Sequence, residues 1–123
     1  MTDAQAIRPT VLVVEDEFII ALDLSETVRD LGFGLDGPYS HKALALQAIE
    51  NTLPDAAILD INVADGEVFP LADALAQHGV PIIFHSSQQP LPDACAQYPR
   101  AIACTKPCPP DHLVAVLQQV VGR

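Results

Sequence analysis

Polar side chains capable of metal or phosphoryl chemistry follow four short apolar segments of the sequence. They are Glu15 and Asp16 after Val11–Val14, Asp60 after Ala56–Leu59, Ser86 shortly after Val80–Phe84, and Lys106 shortly after Ala101–Cys104. If the four segments are parallel strands of one sheet, their carboxyl ends lie along a common edge and these side chains can converge. Clustered carboxylates repel one another, so a buried cluster requires a compensating cation.

The residue types in this set fit phosphoryl transfer assisted by a hard metal ion. One or two carboxylates suit Mg²⁺, which keeps water or phosphate at its other positions. An aspartate such as Asp60 can attack phosphorus and form an aspartyl phosphate. Charge on the phosphoryl oxygens can be neutralised by the ion and by a lysine such as Lys106, and a hydroxyl such as that of Ser86 can donate to one of them.

The elements that position these residues alternate along the chain. Continuous apolar runs such as Val11–Val14 predict strands that are buried on both faces. Apolar residues recur at helical spacing between them, with Gly or Pro marking the ends. The predicted helices are Phe18–Leu31, His41–Leu53, Val68–Leu75, a short one near Pro92–Gln97, and a last one that begins at Pro109 or Pro110. With a weak second strand within Phe33–Tyr39, the pattern predicts an α/β fold whose five-stranded parallel sheet has helices on both faces.

The composition predicts one acidic globular domain. The chain has 123 residues, of which 50% are apolar, and a formal charge of −10. That charge argues against nucleic acid or an anionic membrane surface as a partner, and favours proteins or a cation. No apolar run approaches the ~20 residues of a membrane span, and residues 1–9 lack the features of a signal peptide, so we expect a cytoplasmic protein. We expect a short leader at 1–9 and one domain at 10–123 with no output domain.

The three cysteines, Cys95, Cys104 and Cys108, are odd in number and do not suggest a disulfide framework. A zinc site at Cys104 and Cys108 would need a further ligand from His85, Cys95 or His112, and the spacing fits no standard zinc pattern. The sequence alone therefore favours Cys104 as a small buried apolar residue.

Four motifs in order resemble the receiver domain of two-component response regulators: Val11–Glu17 (VLVVEDE), Leu59–Asn62 (LDIN), Pro81–Ser86 (PIIFHS) and Lys106-Pro107. The resemblance extends over essentially the whole chain and implies the flavodoxin-like (βα)5 receiver fold. It further implies that Asp60 is the phosphoacceptor. Glu15, Asp16, Asp60 and the backbone carbonyl of Asn62 would hold Mg²⁺. Ser86 would be the switch hydroxyl, with the neighbouring Ser87 as the alternative. Lys106, followed by a cis peptide bond to Pro107, would pair with the phosphoryl group.

The stretch Asp60–Leu75 (DINVADGEVFPLADAL) resembles a single-domain proteobacterial subgroup associated with HWE-type histidine kinases. Two departures from the family pattern concern the readout of phosphorylation. Ala103 stands where receivers carry an aromatic residue coupled to the switch hydroxyl, and Phe84–Gln89 (FHSSQQ) lacks the glycine and aromatic residue of the subgroup. Gln88, two residues after Ser86, is a candidate for tuning hydrolysis of the aspartyl phosphate.

The resemblance implies a stand-alone receiver that accepts a phosphoryl group on Asp60 from a histidine kinase or phosphotransfer protein. It would be no enzyme beyond its own phosphorylation and dephosphorylation. Output would come from contact with a downstream protein through the fourth helix, fifth strand and fifth helix, or the protein would act as a phosphate sink or shuttle. One alternative is a pseudo-receiver that binds a partner without phosphorylation, which Ala103 favours. Another is a small Mg²⁺-dependent phosphatase with an aspartyl nucleophile, against which Asn62 argues because such enzymes often carry an acid there.

Overall fold

The computed structural model describes residues 8–87, 96–106 and 108–121. Its central sheet has five parallel strands: β1 (Thr10–Val14), β2 (Gly34–Tyr39), β3 (Ala56–Leu59), β4 (Ile82–Ser86) and β5 (Ile102–Thr105). They are arranged in the order β2-β1-β3-β4-β5. This is the flavodoxin-like order, in which ligands bind beyond the carboxyl ends of the strands where the strand order reverses. The predicted fold class is therefore confirmed.

Four helices lie wholly within the described residues: α1 (Phe18–Asp30), α2 (Lys42–Asn51), α3 (Phe69–Gln77) and α4 (Pro110–Val121). α1 is followed by Gly32 at a φ of 85°, where glycine avoids the strain that a side chain would bring. α3 and α4 carry proline in the first turn, where no amide hydrogen is needed. Each helix lies within three residues of the boundaries predicted from its apolar spacing.

The alternation of side chains along each strand divides the core into two layers. Leu12 and Val14 of β1 face one layer, which also contains Ala45 of α2 and Leu71 of α3. Val11 and Val13 face the other, which is built with α1 and α4: Leu24, Val28, Leu113, Val116 and Leu117. The sheet is thus covered on both faces, which explains why all four of these β1 residues are fully buried.

β2, the weakest prediction, is a six-residue edge strand that contains Pro38. Proline is tolerated at a sheet edge because no further strand needs its missing amide hydrogen. The register with β1 shifts between Leu12 and Val14, next to Gly37, whose φ is 114°. A Cβ at Gly37 would lie 2.7 Å from the Val13 carbonyl oxygen, so glycine permits this close approach.

Two further differences from prediction lie beyond or at the carboxyl ends of strands. β4 extends through His85 and Ser86, which were placed after the strand, because both residues pair with β5. The loop predicted at Asn62–Gly66 contains a short antiparallel hairpin between Asn62–Val63 and Gly66–Glu67. Five sequence-based expectations lie wholly or partly outside the described residues: the leader at 1–9, the helix near Pro92–Gln97, the placement of Gln88 and of Cys95, and the cis bond before Pro107.

Candidate functional site

Glu15 and Asp60 each stand one residue beyond neighbouring strands, β1 and β3. Val14 and Leu59 are partners in the register of those strands, so the two carboxylates start from adjacent positions. Backbone hydrogen bonds fix both: Asp60 N donates to the Val14 carbonyl at 2.9 Å, and Glu15 N donates to the Tyr39 carbonyl at 2.9 Å. The second bond depends on the register shift at Gly37, because that shift places Tyr39 opposite Val14.

Asp16 completes a carboxylate cluster with Glu15 and Asp60. One oxygen from each lies within 4.8 Å of the other two. Glu15 is 2% exposed and Asp60 6% exposed, whereas Asp16 is exposed to solvent. The cluster therefore has a buried floor and an open side, and the convergence expected of these three residues is observed.

Lys106 reaches this cluster from β5. Its Nζ lies 2.9 Å from Glu15 Oε1 and donates to Asp60 Oδ2 at 3.2 Å. The exposed Glu17 is farther, at 3.7 Å. Lys106 N also donates to the Ser86 carbonyl at 3.1 Å, which ties the lysine to the end of β4. The structure thus unites the ends of four strands around one ammonium group.

The charges in this pocket are incompletely balanced. Burial raises the pKa of Glu15 to about 7, although the contact with Lys106 and the amide hydrogen of Glu17 act in the opposite direction. Burial opposes the charge of Lys106 too, but Glu15 and Asp60 outweigh it and raise the pKa of the ammonium group. One lysine therefore does not fully compensate the acids that surround it.

The donor set fits a hard divalent cation. Glu15 Oε1 is buried and, despite its ionic contact with Lys106, has no directed hydrogen bond among the described residues. Carboxylate oxygens that converge from three side chains are the ligand type that Mg²⁺ prefers. An added positive charge would also favour the ionised form of Glu15.

The remaining predicted site residues lie at the same edge of the sheet. Ser86 ends β4 and is 1% exposed, whereas Ser87 is exposed. Asn62 follows Asp60 by two residues, begins the hairpin opposite Glu67, and is exposed. Their roles as switch hydroxyl and carbonyl ligand stay predictions.

His85 is a site neighbour that the sequence did not indicate. It is 5% exposed, with Nδ1 4.0 Å from Glu15 Oε1. Nδ1 has no hydrogen-bond partner among the described residues. Burial and the nearby Lys106 lower the pKa of His85 to about 4, so the ring is neutral at pH 7. In the sequence, the position of His85 between an apolar run and Ser86 was the feature that could have indicated its place at the site. The pairing with β5 that buries the ring cannot be read from the sequence.

Comparison with known proteins shows which proteins the chain as a whole resembles. The chain is 28% identical, over 99% of its length, to the transcriptional regulatory protein PdtaR of Mycobacterium tuberculosis. It is 31% identical, over 90% of its length, to the phyllosphere-induced regulator PhyR of Methylorubrum extorquens. A response regulator receiver protein from Sinorhizobium medicae superposes with a TM-score of 0.85 at 24% identity, covering 95% of this chain and 97% of that one.

The chain has the fold of response regulator receiver domains and is similar in sequence to the regulators PdtaR and PhyR. No protein-family profile matches it. The chain spans 62% of the length of PdtaR and 43% of that of PhyR. None of these three names refers to HWE-type kinases, and the assignment to that subgroup stays a prediction.

The chain differs from the receiver-domain pattern at β5. Ala103 pairs with Phe84 in the register of β4 and β5 and is exposed. Phe84 is buried instead among aromatic side chains, with ring centroids 5.6 Å from Tyr98 and 6.3 Å from Phe69. Tyr98 in turn donates to Asp73 at 2.6 Å. The aromatic side chains described next to β4 thus come from the core layer rather than from β5.

Proposed function

We propose that this receiver accepts a phosphoryl group on Asp60, with Mg²⁺, from a histidine kinase or a phosphotransfer protein. The observation that carries the proposal is the placement of Asp60. Its carboxylate is almost fully buried, receives a hydrogen bond from Lys106 at 3.2 Å, and lies within 4.8 Å of ligand oxygens of Glu15 and Asp16.

Each residue has a role that its position supports. Asp60 Oδ attacks phosphorus and becomes the bridging oxygen of an acyl phosphate, while the bond between phosphorus and the donor breaks and the donor histidine, or acetate in the case of acetyl phosphate, leaves. Lys106 lies within reach of Asp60 and stabilises charge on the phosphoryl oxygens. Glu15, Asp16, Asp60 and the Asn62 carbonyl would hold Mg²⁺, which supplies charge neutralisation when bound. Ser86, at the end of β4, would donate its hydroxyl to the phosphoryl group.

Partner binding is also part of the proposal. α1 begins two residues after Asp16 and exposes Phe18 (75%) and Ile19 (74%), so apolar surface adjoins the acidic pocket. Such surface supports contact with a protein donor. Output would be contact with a downstream protein, or the protein would serve as a phosphate sink or shuttle. The expected output surface includes β5 and α4, together with a segment near Pro92–Gln97 that is only partly described.

The remaining expectations belong to the same proposal. We propose a cytoplasmic protein that acts as a phosphoryl-accepting receiver and that catalyses only its own phosphorylation and dephosphorylation. Among the helices of residues 8–87, 96–106 and 108–121, none has the length and hydropathy to cross a bilayer.

The test is incubation with acetyl phosphate and Mg²⁺, followed by intact-mass measurement. The wild type should gain one phosphoryl group, and a metal chelator should prevent the gain. Asp60→Asn should gain none, whereas the matched control Asp30→Asn, at the end of α1, should behave as wild type. Loss of labelling in both variants would contradict the assignment of Asp60.

Other outcomes identify the alternatives. A wild type that binds Mg²⁺ but gains no phosphoryl group from acetyl phosphate, phosphoramidate or a phosphorylated histidine kinase would indicate a pseudo-receiver. Repeated turnover of a phosphate ester, abolished by Asp60→Asn, would indicate a phosphatase.

A further inference from the structure

Three metal-binding side chains meet at the junction of β5 and α4, away from the carboxylate cluster. Sγ of Cys104, Sγ of Cys108 and a ring nitrogen of His112 all lie within 4.8 Å of one another. Cys104 is in β5, Cys108 in the loop, and His112 in the first turn of α4. Spacing alone argued against zinc, but the turn between strand and helix brings the three together.

The separations are close to those of a tetrahedral site. With zinc–sulfur bonds of about 2.3 Å and zinc–nitrogen bonds of about 2.0 Å, ligand atoms stand about 3.6–3.8 Å apart. A contraction of about 1 Å from the 4.8 Å limit at most is therefore sufficient. His112 is exposed and can move, while β5 and the start of α4 hold the backbone on either side.

Burial is graded across the cluster in a way that gives an ion access. Cys104 is 1% exposed, Cys108 is half-buried, and His112 is exposed. Cys108 also lines a groove of about 610 Å³ between α1 and α4. Three acids of α1, Asp23, Glu26 and Asp30, line the same groove and make its potential favourable for a cation.

The chemistry of the donors separates this cluster from the proposed Mg²⁺ site. Thiolates and imidazole select zinc and similar borderline or soft ions, whereas carboxylates select Mg²⁺. The cluster found among the described residues has three members, so a fourth position is left for water or another small ligand.

The cysteines are thiols before any ion binds. Burial, together with the adjacent Cys108, raises the pKa of Cys104 to about 12, and both cysteines are free in the structure. Each forms its bond to the ion by releasing one thiol proton to solvent, and His112 binds through its neutral ring. Affinity must therefore fall as pH falls.

We propose that Cys104, Cys108 and His112 form a binding site for Zn²⁺ or a similar thiophilic divalent cation. The site does not depend on phosphorylation of Asp60. The two cysteines stand two residues before and two residues after Lys106, so a bound ion restrains both ends of the segment that carries this lysine.

The test uses Co²⁺ as a spectroscopic probe on the full, reduced chain, with excess Mg²⁺ present. The wild type should show thiolate-to-cobalt charge-transfer absorption and intense tetrahedral d–d bands, and stoichiometric Zn²⁺ should abolish them. Zn²⁺ should also slow amide hydrogen exchange around Lys106. Loss of an outer-shell partner typically costs 10–100-fold in metal affinity, so loss of a direct ligand should cost at least about 100-fold.

Cys108→Ser and His112→Asn are the informative variants, because both residues are accessible and neither fills the core as Cys104 does. Each should lose affinity. The controls Cys95→Ser and His78→Asn should keep the wild-type spectrum. Absence of thiolate bands in reduced wild type would overturn the proposal. So would bands that persist in Cys108→Ser, or that disappear in Cys95→Ser.

Discussion

Glu15→Gln should stabilise the metal-free protein at neutral and higher pH. Burial raises the pKa of Glu15 from 4.5 to about 7. Between those values the folded state holds a proton that the unfolded state releases, so the contribution of Glu15 to stability is present below pH 4.5 and is lost as pH rises through about 7. Glutamine keeps the shape of the protonated form and cannot ionise.

The difference between the two pKa values sets an upper magnitude of about 3 kcal/mol, because each pH unit is worth about 1.4 kcal/mol. His85 complicates the raw pH profile. Its pKa is lowered from 6.5 to about 4, so its own contribution is lost as pH falls through that window, the opposite sign to Glu15. The quantity to compare is therefore the difference between wild type and variant at each pH.

The assay is denaturant unfolding with a metal chelator, from about pH 4 to about pH 8. The free energy of unfolding of Glu15→Gln minus that of wild type should be larger near pH 8 than near pH 4, by up to about 3 kcal/mol. Glu17→Gln is the matched control, because that carboxylate also faces Lys106, at 3.7 Å, but is 65% exposed. Its difference from wild type should stay nearly constant. A constant difference for Glu15→Gln would refute the reasoning. Under the proposed function, wild type binds Mg²⁺ through Glu15 more tightly than Glu15→Gln does, so saturating Mg²⁺ should make wild type the more stable of the two proteins.

Three further predictions concern residues that shape the fold around the site. Gly37→Ala should destabilise the protein by more than about 3 kcal/mol in denaturant unfolding, since the added Cβ would lie 2.7 Å from the Val13 carbonyl oxygen. A Cβ at Gly32 would meet no atom within 4 Å, so the control Gly32→Ala should cost only about 1–2 kcal/mol. Equal losses of stability in the two variants would contradict this prediction. Tyr98→Phe should cost about 1–2 kcal/mol through its lost hydrogen bond to a carboxylate, without changing near-ultraviolet signals of the neighbouring phenylalanines; no loss would show that the bond is absent in solution. Asp65 accepts hydrogen bonds from two backbone amides in the first turn of α2, and these bonds lower its pKa although desolvation of the carboxylate acts against this. Asp65→Asn should therefore lower the melting temperature above pH 3.8, by a difference from wild type that shrinks as pH falls further. A difference that does not depend on pH would argue against this capping of α2 by the Asp65 carboxylate.

The strand and helix pattern was largely readable because burial on both faces and helical periodicity are local properties. Val11–Val14 has no polar position because both of its faces are covered, and the observed strand differs from the predicted one only by also including Thr10. β2 was harder, since glycine and proline are poor strand formers by local rules. Its place at the sheet edge, which makes them acceptable, depends on strand order.

For the candidate site too, one part was predictable from the sequence and another was not. That Asp60, Glu15, Asp16 and Lys106 meet at one edge followed from their places after apolar runs. How they share charge did not follow. The 2.9 Å approach of Lys106 to Glu15, closer than its 3.2 Å approach to Asp60, and the burial of His85 between strands depend on the register of β4 against β5.

The sequence by itself determined the order of elements and which functional groups reach the carboxyl edge of the sheet, because strand ends are marked by local changes from apolar to polar residues. The tertiary structure decided which of those groups touch. It united Cys104, Cys108 and His112 against their unfavourable spacing, and it left Glu15 Oε1 without a directed hydrogen bond. Contacts between segments that are distant in sequence depend on strand register, on turn geometry and on which side chains are buried away from water. None of these is encoded in the spacing of one short segment.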